Sequence, residues 1–205
     1  MLNQPIHCEI KYYFIMSNRL FTPFLIQRKI YARFTHNHVT IYTDGSYMHK
    51  FNSGGIGIHF PRNISPSFSG DISENYSLWC DTIKYPPTSN RCELLAIYRA
   101  FAICLAHSNS ATIYTDSEYA INSIARYSNV WNQNGCKKID GTPVKNLDLI
   151  IPMYIIYSRD GDSRDGNRAF ELKHVKAHQY LSEKENIHSV GNAIADTLAR
   201  RGASR

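Results

Sequence analysis

Two β-branched segments of this chain end in the same five residues, Thr-Ile-Tyr-Thr-Asp, at 40–44 and again at 112–116. Both are rich in residues that favour extended structure and are followed by turn formers, so each is predicted to be a strand ending at an aspartate. Open α/β sheets place their ligands beyond the ends of such strands. The repeated feature therefore predicts a sheet with Asp44 and Asp116 close together at one edge.

The remaining patterns predict further strands and helices around these two segments. Strands are predicted at 39–46, 54–60, around 76–80, 111–117 and 169–178. Helices are predicted at 90–107, 118–127, 144–158 (kinked or started by Pro152) and 191–202, and the intervening segments are predicted to be loops. This order, β-β-β-α-β-α-α-β-α, indicates an α/β fold with a five-stranded mixed sheet. Three antiparallel strands come first, parallel strands follow, and helices cover both faces.

Residues 1–38 differ from the rest of the chain. They contain one acid, Glu9, against five basic residues, Lys11, Arg19, Arg28, Lys29 and Arg33. We predict a basic N-terminal extension at 1–38 and a catalytic domain at 39–205. The extension is interpreted as an arm, as a strand added to the domain, or as an organelle transit peptide beginning at Met16.

Composition excludes several classes of protein. A hydrophobic fraction of 43% suits a packed core, and a net charge of +6 is compatible with a polyanionic partner without requiring one. The five cysteines are scattered, with no Cys-x-x-Cys pair, which favours reduced thiols in an intracellular protein over a disulfide framework or zinc site. Because no apolar run approaches the roughly 20 residues that span a bilayer, no membrane association is predicted.

Two further acids stand in apolar surroundings. Glu93 lies in the first turn of the helix predicted from 90, and Asp196 faces the apolar side of the last helix. Each carboxylate alone has a structural explanation as a turn former, a cap or a partner of a helix dipole. Four carboxylates on one sheet edge would repel one another unless a cation lay between them. Ligation by oxygen alone favours Mg²⁺ or Mn²⁺ over zinc.

Five ordered blocks of sequence resemble the signature of the type-1 ribonuclease H family, including its cellular and viral members. The blocks are TDGS at 43–46, NRCELLA at 90–96, YTDS at 114–117, HVKAH at 174–178 and GNAIADTLA at 191–199. The resemblance implies a ribonuclease H-like fold from about residue 39 to 203. It also implies hydrolysis of the RNA strand of RNA–DNA hybrids, leaving 5′-phosphate and 3′-hydroxyl ends.

The resemblance assigns roles to particular residues. Asp44, Glu93, Asp116 and Asp196 match the family's metal-binding catalytic carboxylates, which hold two Mg²⁺ ions that Mn²⁺ can replace. His178 matches a histidine that assists proton transfer or product release. The residues that match hybrid-binding positions are Thr88, Ser89, Asn90, Tyr119, Tyr127, Trp131, Lys137, Lys138 and Asn146.

The sequence departs from the family pattern in two places. The counterpart of the basic protrusion, at 127–138, carries charge only at Lys137 and Lys138. A long segment also follows His178, so His188 is the alternative for the catalytic histidine. His174, on the predicted strand, is interpreted as structural.

Other functions stay open at this point. The alternatives are another nuclease of the same superfamily, a hybrid-binding module with weak catalysis, and a domain cut from a reverse transcriptase polyprotein. We predict a free-standing monomer with no obligate protein partner, located in the nucleus or cytoplasm, or in an organelle if residues 1–38 direct it there.

Overall fold

The computed structural model of the chain describes residues 36–61, 70–107, 109–159, 169–176 and 183–205. Five strands form one sheet: β1 (His36–Met48), β2 (Ser53–His59), β3 (Ile72–Asn75), β4 (Asn109–Thr115) and β5 (Phe170–His174). Their spatial order is β3-β2-β1-β4-β5, antiparallel from β3 to β1 and parallel from β1 to β5. The predicted mixed sheet is confirmed, and so is the predicted order of its strands along the chain, with three before the first described helix and two after it.

Helices lie on both faces of this sheet. They are α1 (Ser89–His107), α2 (Glu118–Ile121), α3 (Ser128–Gln133), α4 (Leu147–Arg159) and α5 (Glu183–Ala203). A π-helical turn, Asn122–Tyr127, joins α2 to α3. The helix predicted at 144–158 begins at Leu147, so Pro152 lies inside it and does not start it.

Helix α1 packs its apolar face against the sheet. Five apolar residues that recur at helical spacing are all buried: Leu94, Ile97, Ala100, Phe101 and Leu105. The helix is capped at its start because the Thr88 hydroxyl accepts a hydrogen bond from the Arg91 backbone N–H at 3.2 Å. Because the helix begins at Ser89, Glu93 lies in its second turn and not in the first as predicted, and these contacts fix its position relative to β1.

Helix α5 lies on the other face, close to the backbone of β2. A Cβ added to Gly57 would overlap the backbone of Ala195 and Ala199, and one added to Gly55 would overlap that of Ala199 and Ala203. Glycines on the strand and alanines on the helix therefore permit an unusually close approach. This approach carries Asp196 to the edge of the sheet.

The strand predicted around 76–80 is wrong in position. The strand ends at Asn75, and Tyr76–Leu78 form a 3₁₀ turn. Asn75 is responsible, because its side chain accepts a hydrogen bond from the Ser77 N–H at 2.9 Å and turns the chain. The ring of Tyr76 is then buried below the turn, which accounts for the apolar pattern.

Two segments predicted as loops are partly helical. Residues 128–133, within the counterpart of the basic protrusion, continue the helix because Trp131 packs against the core and Ser128 bonds the Ile124 carbonyl at 2.7 Å. Helix α5 begins at Glu183, eight residues before the predicted start at 191. Gly191 does not begin this helix; it lies inside it, where a larger residue would collide with the Tyr42 ring.

Most of the predicted extension at 1–38 lies outside the described residues, so its boundary and its role stay predictions. Among the described helices, none has both the length and the apolar character needed to cross a bilayer.

Candidate active site

Three of the four predicted carboxylates meet at one edge of the sheet. Asp44 comes from β1, Glu93 from the first turns of α1, and Asp116 directly follows β4. One carboxylate oxygen from each lies within 4.8 Å of the other two. Groups far apart in the sequence therefore form a compact acidic site.

The pairing of the strands explains this arrangement. Tyr42 and Tyr114 are partners in the parallel β1–β4 ladder, so Asp44 and Asp116, each two residues further on, emerge together. Gly45 brings in the third acid, since a Cβ there would overlap the backbone of Cys92 and Glu93. The bare strand at Gly45 allows α1 to place Glu93 beside Asp44.

The site is strongly acidic, and two of its three carboxylates are buried. Asp44 is 6% exposed and Glu93 is 9% exposed. Burial, together with the charges of Asp116 and Asp196, raises the pKa of Asp44 to about 7. Burial and the charge of Asp44 also raise the pKa of Glu93 well above its usual range. Buried carboxylates held this close are destabilised in their charged forms unless a cation compensates them.

The donor set fits a divalent cation. All three groups offer oxygen, and Glu93 Oε2 is buried with no hydrogen-bond partner in the described part of the protein. Oxygen ligands at a compact acidic site match the preference of Mg²⁺, Mn²⁺ or Ca²⁺. Asp44, Glu93 and Asp116 are therefore the residues able to hold a metal here.

The raised pKa values predict how stability depends on pH without metal. The Asp44 carboxyl has a pKa near 7 in the folded protein and about 3.9 when unfolded, so between these values the folded state binds more protons. The free energy of unfolding in EDTA should therefore fall, on the order of a few kcal/mol, as pH rises from about 4 to 7. Thermal melts across that range test this. Asp44→Asn should flatten the profile, and an unchanged slope in that variant would contradict the assignment.

Asp196 lies near this cluster but is not one of its three close members. Its charge contributes to the raised pKa of Asp44, so the two groups are neighbours. Its own carboxylate is paired with Arg200 one turn along α5, with Arg200 Nε 2.7 Å from Oδ1 and a second contact to Oδ2. The role of Asp196 as a metal ligand stays a prediction.

Asn192 is a site residue that the sequence analysis missed. Its side-chain Nδ2 donates to Asp116 Oδ2 at 3.1 Å, and the residue is 5% exposed. It lies one turn before Asp196 on α5, and this spacing was the available signal. The amide holds Asp116 from the side of the helix.

Of the three histidines considered in the sequence analysis, His174 and His188 lie in the described part of the structure. His178 lies outside the described residues, so its catalytic role stays a prediction. His188 stacks on Tyr114 with ring centroids 4.2 Å apart, and its Nδ1 is 3.0 Å from the Tyr42 hydroxyl. His174, interpreted as structural, has Nε2 3.2 Å from the Asp116 carbonyl oxygen. His188 therefore ties the start of α5 to the sheet.

The predicted hybrid-binding residues fall into three groups. Thr88, Ser89 and Asn90 are exposed around the start of α1. Asn146 Nδ2 donates to the Tyr119 hydroxyl at 3.2 Å, which joins two of these residues directly. The remaining four lie further along, with the rings of Tyr127 and Trp131 5.6 Å apart and the exposed Lys137 and Lys138 in the following turn. Their contacts with nucleic acid stay predictions.

Comparison with known sequences points to one family. The RNase H family profile matches residues 36–204. A ribonuclease H of Schizosaccharomyces pombe is 34% identical over 171 residues, which cover 80% of this chain and 52% of that protein. A ribonuclease HI of Haemophilus ducreyi is 30% identical over 166 residues, covering 81% of this chain and 90% of that protein. The chain thus spans about half the length of the yeast relative and most of the bacterial one.

Comparison with solved structures gives the same fold. The solution structure of the PFV RNase H domain superposes with a TM-score of 0.61 at 22% identity, covering 82% of this chain and 96% of that one. A foamy viral protease–reverse transcriptase in complex with an RNA/DNA hybrid also gives a TM-score of 0.61, at 19% identity. That match covers 92% of this chain and 22% of the viral protein. At these identities the likeness shows the fold alone.

Proposed function

Because this chain belongs to the ribonuclease H family, we propose that it is a metal-dependent endonuclease that hydrolyses the RNA strand of RNA–DNA hybrids. The observation that carries the proposal is the compact cluster of Asp44, Glu93 and Asp116, in which Asp44 and Glu93 are buried. A family match gives the reaction class, and the cluster supplies the chemistry that the class requires. The products expected are a 5′-phosphate and a 3′-hydroxyl.

We propose that the cluster, joined by Asp196, holds two Mg²⁺ ions, for which Mn²⁺ can substitute. Such ions, when bound, activate a water molecule and stabilise the charge on the leaving oxygen. The contribution of the protein is to hold its carboxylates in place before the substrate arrives. Gly45 sets the position of Glu93, and Asn192 holds Asp116 through the hydrogen bond to Oδ2.

Substrate choice is proposed to depend on the surface beside the cluster. Ser89 and Asn90, exposed at the start of α1, are suited to reading 2′-hydroxyl groups, which distinguish RNA from DNA. Thr88 and Asn146 are suited to donating hydrogen bonds to a DNA phosphate. The partly exposed aromatic pair Tyr127 and Trp131 provides a surface along which the DNA strand can run.

The experiment compares labelled RNA–DNA hybrid, double-stranded RNA and double-stranded DNA, each incubated with Mg²⁺ or EDTA. The proposal expects cleavage of the hybrid alone, and only with the metal. Hybrid that is bound but never cut would identify a binding module. Cutting of double-stranded DNA would indicate a different nuclease of the same fold.

The histidine assignment gives a separate prediction. His178→Ala is expected to lower turnover by about 10- to 100-fold, as an auxiliary acid–base group would. His188→Ala should act mainly on stability, since its ring contacts Tyr42 and Tyr114. Single-turnover rates and melting temperatures for both variants separate the two roles. A large loss of turnover in His188→Ala, with His178→Ala near wild type, would reverse the assignment.

A further inference from the structure

Arg91, to which no role has been assigned, is almost completely enclosed, with 4% of its surface exposed. All five guanidinium N–H groups have acceptors: Tyr76 Oη at 2.6 Å, Asn146 Oδ1 at 3.2 Å, Cys80 Sγ at 3.8 Å and both oxygens of Asp148. Its Cζ also lies 4.5 Å from the centre of the Tyr85 ring. A planar group held on every side has one orientation, unlike a flexible surface arginine.

Arg91 contacts both residues proposed to bind the DNA phosphate, but its guanidinium contacts only Asn146. Its guanidinium donates to Asn146 Oδ1, and its backbone N–H donates to the Thr88 hydroxyl at 3.2 Å. Both contacts use an oxygen of the partner. The Thr88 hydroxyl hydrogen therefore stays available for donation, and the Asn146 NH₂ group is directed away from Arg91.

The orientation of the Asn146 amide depends on this contact. Asn146 has a φ of 60°, in the left-handed region, and its Nδ2 donates to the Tyr119 hydroxyl at 3.2 Å. If the amide were rotated by half a turn, its NH₂ group would face the Arg91 guanidinium, where two donors would meet. Arg91 thus selects the rotamer that presents an N–H on the side of Tyr119.

The charge of Arg91 is already compensated. Asp148 engages the guanidinium through both carboxylate oxygens, with Nη1 2.8 Å from Oδ1. No guanidinium N–H is left for an incoming phosphate, so a direct ionic contact with substrate does not explain this residue. Its effect on substrate must pass through the groups that it holds.

We propose that Arg91 is a positioning residue that fixes the Asn146 amide, and with it the grip of the enzyme on the DNA strand of the hybrid. The inference rests on the proposed function. One buried side chain thus preorganises the phosphate contact. Binding of the DNA strand is then separate from the chemistry of the carboxylates.

The test is a double-mutant cycle on hybrid cleavage. Arg91→Lys keeps the charge but loses the forked geometry, so KM should rise about tenfold while kcat stays within about threefold of wild type. Asn146→Ala should raise KM similarly. If Arg91 acts through Asn146, the double variant should resemble Asn146→Ala alone, because the group being positioned is already gone.

Arg99→Lys is the matched control. Arg99 lies on the same helix, pairs with Glu74 at 3.5 Å and covers the Trp79 ring at 4.4 Å, and neither contact involves Thr88 or Asn146. Its KM should stay within twofold of wild type. If Arg91→Lys fails to fold, Asp148→Asn replaces it in the test, because Asp148 is partly exposed and holds the same guanidinium. Asp148→Asn should raise KM in the wild-type background. It should cause no further rise in KM in the Asn146→Ala background.

Two outcomes overturn the inference in distinguishable ways. If wild-type protein cuts the hybrid but the KM effects of Arg91→Lys and Asn146→Ala multiply, the positioning role is wrong and the proposed function stands. If wild-type protein cuts no hybrid, the proposed function falls, and the positioning role falls with it.

Discussion

Asp44→Asn is expected to lower the rate of hybrid cleavage by about 1000-fold or more, equivalent to roughly 4 kcal/mol of transition-state stabilisation. Asp44 is central to the cluster, since it is coupled electrostatically to Glu93, Asp116 and Asp196. An amide of the same shape removes the charge that would hold the cation but leaves the packing of β1 intact. In EDTA at pH 8 the variant should melt at a higher temperature than wild type, because a buried repulsion is relieved.

Glu171→Gln provides the control for this substitution. Glu171 is an exposed acid on β5 that pairs with Lys173 at 2.9 Å, and it takes no part in the cluster. The Glu171→Gln variant should cleave the hybrid at a rate within twofold of the wild-type rate. Substantial cleavage by Asp44→Asn, or equal losses in the two variants, would rule out the carboxylate mechanism.

Gly45→Ala is expected to damage both stability and the site. The added methyl group would overlap the backbone of Cys92 and Glu93, and neither a strand nor the packed start of a helix can move freely. Overpacking of this kind costs about 3 kcal/mol. Because α1 must move away from β1, Glu93 should leave the cluster, and cleavage should fall by about 100-fold or more in protein that is still folded.

Gly70→Ala separates steric overlap from the general cost of replacing a glycine. A Cβ at Gly70 meets no atom within 4 Å, but its φ of 111° disfavours alanine. This variant should lose about 1 kcal/mol of stability and keep full cleavage per folded molecule. Denaturant titration and cleavage rates measured on both variants make the comparison. If Gly45→Ala folds stably and cleaves normally, Gly45 does not set the position of Glu93.

The local patterns in the sequence predicted that Asp44 and Asp116 end two strands, and the resemblance to the ribonuclease H family added Glu93 to their cluster. A strand that ends in aspartate is visible from composition and periodicity, and parallel pairing then brings two such ends together. The same patterns located α1 and its buried face. The strand ends and the buried helix face each depend on residues that are close in sequence, which is why they could be predicted.

The supporting contacts could not be predicted in this way. Arg91 finds its partners 15, 55 and 57 residues away, in Tyr76, Asn146 and Asp148. Asn192 reaches Asp116 across 76 residues. Only tertiary packing decides such pairs, because many polar residues of equal chemistry compete for each one.

The errors in the helices have a similar origin. The sequence predicts that the last helix begins at Gly191, but Gly191 lies inside the helix, a position that glycine ordinarily destabilises. In the structure its missing side chain leaves room for the Tyr42 ring, so packing outweighs propensity. The pairing of Asp196 with Arg200, by contrast, joins opposite charges at a local i, i+4 spacing.

The most direct measurement of the central claim is product analysis by mass spectrometry. An RNA–DNA hybrid with each strand labelled separately is digested in ¹⁸O-enriched water with Mg²⁺. The account predicts intact DNA and RNA fragments with 3′-hydroxyl ends and 5′-phosphates that carry one ¹⁸O atom, with no product when EDTA is present. Cleaved DNA, a 2′,3′-cyclic phosphate on the RNA, or cleavage that survives EDTA would contradict it.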